Sequence, residues 1–74
     1  MTDLPSLKPK IVARALEKSG FVFVRQKGSH RLYRRGDYST TVPIHNKDLK
    51  MPTLRAIISQ AGFTAEEFIG LLKD

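Results

Sequence analysis

Phe21-Val22-Phe23-Val24-Arg25-Gln26-Lys27-Gly28-Ser29-His30-Arg31-Leu32-Tyr33-Arg34-Arg35-Gly36-Asp37-Tyr38-Ser39-Thr40-Thr41-Val42-Pro43-Ile44 is the stretch that decides the fold. Phe21 to Val24 is β-branched and aromatic, which suits a strand. Lys27-Gly28-Ser29 supplies a tight turn, and His30 to Arg35 follows as a second strand of mixed polarity. Gly36-Asp37 turns the chain again, and Tyr38 to Ile44 forms a third strand rich in Thr and Val. Two short connections between three successive strands imply an antiparallel meander. Pro43 has no amide proton to give to a ladder, so it belongs at a strand end or on an edge.

On the N-terminal side, Pro9 suits the first turn of a helix, where its missing N–H costs nothing. Ile11, Val12, Ala15 and Leu16 recur at helical spacing, Lys10, Arg14 and Lys18 take the polar face, and Gly20 ends the element. On the C-terminal side, Pro52 opens a helix with Leu54, Ile57, Ile58 and Ala61 on one stripe, closed by Gly62. Thr64 and Glu67 have capping-box spacing, with Phe63 and Phe68 placed as a hydrophobic staple. The expected fold class is α+β, in the order α-β-β-β-α, with the C-terminal helical region broken at Gly62. The expected sheet is three-stranded and antiparallel, with helices on one face and the other face open. That layout resembles the double-stranded-RNA-binding-domain arrangement, a likeness of topology that does not itself fix a function.

At 74 residues the chain is long enough for one domain, taken as 1–74, and too short for two. It has no cysteine, which excludes disulfides and thiolate metal sites. The start, Met1-Thr2-Asp3-Leu4-Pro5, lacks the pattern of a signal peptide, and no apolar run is long enough to span a membrane. A cytoplasmic protein is the expectation. Lys and Arg number 13 against 7 acids, for a net charge of +6. All of the excess lies in residues 1–37, densest at Arg25, Lys27, Arg31, Arg34 and Arg35. A focused positive field raises the local concentration of a polyanion. No basic amphipathic helix carries it, which argues against a membrane surface as the partner.

His30 is the sharpest candidate for chemistry. Imidazole exchanges a proton near neutral pH. Cleaving RNA needs a base for the 2′-hydroxyl or for water, and cations beside the phosphate oxygens. Lys27, Arg31 and Arg34 are candidate phosphate contacts, while Gly28 and Ser29 form a loop with little bulk that a backbone can approach. Strand alternation puts His30 with Leu32 and Arg34, and Arg31, Tyr33 and Arg35 on the opposite side. If Leu32 marks the packed face, His30 has to lie at the sheet's end to reach solvent; a bulge near Gly28 changes the count. His45 is a possible second proton-exchanging group. The two histidines lack further ligands at any standard spacing, so no metal site is expected. Tyr33 and Tyr38 suit part-core packing better than base stacking, and Phe21, Phe23, Phe63 and Phe68 are expected in the core. No nucleophilic serine elbow or phosphate-binding glycine loop is present.

Three stretches together closely resemble the HicA (YcfA-like) toxin family of the HicA/HicB toxin–antitoxin systems. They are Gly20-Phe21 with Arg25-Gln26-Lys27-Gly28-Ser29-His30, then Thr41-Val42-Pro43-Ile44-His45, then Leu54 to Thr64 with Glu67-Phe68. The resemblance implies an mRNA interferase, with mRNA as substrate, that arrests translation without a metal or small-molecule cofactor. The family's catalytic histidine falls on His30; His45 matches a family position without a firm role. A HicB-like antitoxin is the implied partner, covering the active region and repressing the shared operon. One departure is Pro52, where relatives often have glycine. The alternative is a non-catalytic RNA-binding module using the same basic sheet and loop surface.

Overall fold

The computed structural model describes residues 3–73; Met1, Thr2 and Asp74, on which the signal-peptide reading and the 1–74 span partly rest, lie outside the described residues. The elements are α1 (Pro9–Lys18), β1 (Val22–Lys27), β2 (His30–Arg35), β3 (Tyr38–Pro43), α2 (Met51–Gln60) and α3 (Ala65–Leu72). The sheet has the order β1-β2-β3, with both pairings antiparallel. Both hairpins turn on two residues, Gly28-Ser29 and Gly36-Asp37, and each glycine has φ +59°. A glycine at the first of two central positions is what a type II′ turn requires.

Each long helix ends on a paired hydrogen-bond motif. For α1, Gly20 N–H donates to Glu17 O and Phe21 N–H to Leu16 O; for α2, Gly62 N–H donates to Ser59 O and Phe63 N–H to Ile58 O. These are Schellman caps, which need a left-handed residue, and Gly20 (φ +103°) and Gly62 (φ +82°) provide it. The Tyr38 ring leaves no room at the second position, where an added Cβ would come within 2.7 Å of it. The next helix starts at once: Thr64 and Glu67 complete both arms of the capping box, and the Phe63 and Phe68 rings lie 6.4 Å apart.

The helices cover one face of the sheet. Val12, Leu16, Phe21, Leu54, Ile57, Ile58 and Phe68 meet Tyr33 of β2 and Val42 of β3 in the core. Tyr33, not Leu32, therefore marks the packed face of β2. Ile11, expected on the apolar stripe of α1, is 41% exposed, with Ala13 buried in its place. Ile11 sits at the margin of the stripe, beside Leu71 and Leu72 of α3. Phe23, expected in the core, is 52% exposed, because β1 is an edge strand that the helix layer reaches only in part. Its ring meets that of Tyr33 edge-on, with 6.1 Å between ring centres. The order and the two layers match the double-stranded-RNA-binding-domain arrangement with an added C-terminal helix.

Candidate functional site

Register fixes what shares a face with His30. The first residue of β2, it pairs with Lys27 across one hairpin and with Pro43 of β3 on the other side. Arg31 pairs with Gln26 and with Val42, which is fully buried, so Arg31 points toward the helix side. His30, Leu32 and Arg34 take the open face. His30 reaches solvent because the packed face of β2 belongs to Tyr33.

A β-bulge brings the other cations to that face. Phe23 pairs with Tyr33, but Arg25, not Val24, pairs with Leu32. The extra residue, Val24, flips the parity of β1. Phe23 stays on the helix side while Arg25 and Lys27 turn to the side of His30. A regular strand would have left both cations on the face of Phe23.

Arg25, Lys27, His30, Leu32 and Thr41 line one hollow on the open face. A second hollow, a groove of about 530 Å³, runs between β3 and α2 and is also walled by His30 and Thr41, with Pro43, Pro52 and Gln60. The imidazole therefore stands between a cationic hollow and a mixed groove, exposed to both. No acidic side chain lines either. At the groove's mouth, α2 starts without a side-chain cap or an acid in its first turn, so its dipole adds positive potential.

The site's backbone is held firmly. Pro43 ends β3 opposite His30, and the next residue resumes the bonding: Ile44 N–H donates to Ser29 O at 2.6 Å. The Gly28-Ser29 turn is thereby tied to the end of β3.

The remaining candidates sit elsewhere. Arg34 is on the open face but four residues along β2, about 13 Å from His30 at strand rise. The Arg31 Nε donates to Gln26 Oε1 at 3.0 Å, in a hollow shared with Glu17 and Phe23, so the structure does not bring it to His30. Arg35 has a structural post: Nη1 donates to Ser19 O at 2.7 Å, and the guanidinium lies 5.1 Å from the Phe21 ring centre and 5.4 Å from that of Phe63. His45 lies in the loop after β3, lines neither hollow, and accepts the Lys47 N–H on Nδ1 at 3.2 Å. Among the described residues, no group of three or more His, Cys, Asp or Glu could hold a metal ion. Nor is any helix there long and apolar enough to cross a membrane. Sequence reasoning placed Arg25 in the basic cluster but missed it as a neighbour of His30, because nothing in Phe23-Val24-Arg25 marks a bulge. The α2 wall of the groove gives no local signal at all.

The chain matches no curated protein. The profile of a family described as the HicA toxin of bacterial toxin-antitoxin systems matches residues 9–63, a span that runs from the start of α1 through the Schellman cap of α2 and includes every residue lining the two hollows around His30, and the chain belongs to that family.

Proposed function

We propose that this toxin is an mRNA interferase, an endoribonuclease that needs no resident metal and uses His30 as its general acid/base. The observation that carries the reading is the shared face of His30, Lys27 and Arg25. Side chains directly opposite on one face have Cβ atoms about 5 Å apart, and diagonal neighbours about 7–8 Å. Lys27 and Arg25 are thus within reach of one phosphodiester while the imidazole meets the adjoining sugar.

In this arrangement Lys27 and Arg25 bind the non-bridging oxygens, where negative charge grows as the phosphorus is attacked. Lysine does so as a point charge and arginine through its planar fork. Imidazole takes the proton from the attacking oxygen, whether the 2′-hydroxyl or water, and returns it to the leaving oxygen. Arg34 extends the positive face along the strand. Gly28 and Ser29 keep the approach clear, because a hairpin turn with almost no side chain flanks the histidine.

A toxin of a toxin–antitoxin pair has an antitoxin as partner. In our reading a HicB-like protein with an acidic surface covers the open face, blocks RNA and stabilises a small domain by mass action. With it the toxin represses the shared operon.

Expression in cells tests the reading. Wild-type protein arrests growth and depletes mRNA, and His30→Ala protein at the same level does neither. Growth arrest by the folded His30→Ala protein contradicts the assignment and favours a non-catalytic RNA binder acting through the same basic face.

A further inference from the structure

We propose that the groove between β3 and α2 is a subsite for one unpaired base of the bound RNA, with Gln60 reading that base. The inference rests on the polynucleotide-binding part of the function proposed above and adds where the strand goes on leaving the phosphate contacts.

Continuity with the cationic hollow gives the occupant. His30 and Thr41 form a common wall, so a phosphate held by Arg25 and Lys27 has the groove as its neighbour across the imidazole. The strand that reaches His30 must place the adjoining nucleoside somewhere, and this is the adjacent concavity. Its lining suits a heterocycle. Pro43, Pro52 and Ala56 offer flat C–H surface over buried Ile57, and Gln60 supplies the polar end. Such mixed lining, mostly apolar with a few placed polar groups, is typical of small-ligand sites.

Gln60 is oriented from behind. Thr40, 2% exposed, donates its hydroxyl to Gln60 Oε1 at 2.8 Å. In that orientation Nε2, with its two protons, is the end left for a ligand. The amide therefore selects a base edge that offers an oxygen or ring-nitrogen acceptor. A base enters the groove only when it is splayed out of its stack, which pairing in a duplex prevents. The occupant is an unpaired base, even though the fold's layout is that of duplex-RNA binders.

The test is binding, read by fluorescence anisotropy in a His30→Ala background so that the probe stays intact. The probes are RNA pentamers of U, A or C, a pentamer of abasic ribose phosphates, and an RNA duplex. Ala56 is exposed on α2, so Ala56→Phe fills the groove without entering the core. It should weaken pentamer binding about tenfold, the scale of one stacked base, and leave the abasic and duplex probes unchanged. Gln60→Glu keeps an acceptor for Thr40 but removes the two donors, and should flatten the differences among the three pentamers. Chemical-denaturation midpoints confirm that both variants fold.

Pentamer affinity unchanged by Ala56→Phe overturns the subsite. So does an equal loss on the abasic probe, or a parent protein that cannot bind pentamers. Cleavage is not read in this assay: failure of wild-type protein to cut RNA defeats the nuclease reading alone, and the pentamer comparison still decides the subsite.

Discussion

Lys27 and His30 stand opposite each other across the β1–β2 hairpin, the last residue of one strand against the first of the next. The two-residue turn between them is tied to β3 through the 2.6 Å bond from Ile44 N–H to Ser29 O. The backbone positions that carry a cation and an imidazole are thus fixed relative to each other by strand pairing on both sides. Sites carried by regular elements hold their geometry better than sites on loops.

Salt dependence separates the two arginines that the parity of β1 and β2 divides. Arg25→Ala and Lys27→Ala should each lower the slope of log affinity against log salt for single-stranded RNA by roughly 0.7, one phosphate contact apiece. Arg31→Ala should leave that slope unchanged, since Arg31 is held by Gln26 on the helix side. Binding titrations at several salt concentrations check this. A slope lowered by Arg31→Ala and not by Arg25→Ala would reverse the assignment of faces.

Arg35 belongs to stability although it lies in the basic cluster. Arg35→Ala removes a hydrogen bond to Ser19 O and a cation stacked near two rings. The cost should be about 1–2 kcal/mol in urea unfolding, with the RNA salt slope unaltered.

Gly62→Ala should be the more damaging change. It places a Cβ at φ +82° and drives it into the Tyr38 ring. Left-handed strain and overpacking together predict a loss of roughly 2–4 kcal/mol, a large share of a small domain's stability. An unfolding midpoint equal to wild type would contradict the packing of Tyr38 over this turn.

The local punctuation of the fold was legible in the sequence because it is chemical. Gly28-Ser29 and Gly36-Asp37 announce their turns, Gly20 and Gly62 their helix ends, and Thr64 with Glu67 the start of α3. His30 was legible as a candidate from its residue type and its neighbours. What surrounds it was not. The bulge at Val24 carries no glycine or proline, since valine is an ordinary strand residue, and yet it decides which face Arg25 and Lys27 share. Phe23 looked like core because aromatic residues usually are, but burial depends on how far the helix layer extends, and it covers β1 only in part. The groove wall from α2 arises from packing between residues 41 and 60, a separation at which no periodicity speaks.

The central claim is that the His30 imidazole moves the proton when RNA is cut. Purified wild-type and His30→Ala proteins, matched for unfolding midpoint, are incubated with mRNA in the presence of a metal chelator, and the products are resolved by length. The account predicts cleavage by the wild-type protein, and none by His30→Ala despite retained RNA binding. Undiminished cleavage by the folded His30→Ala protein would contradict it.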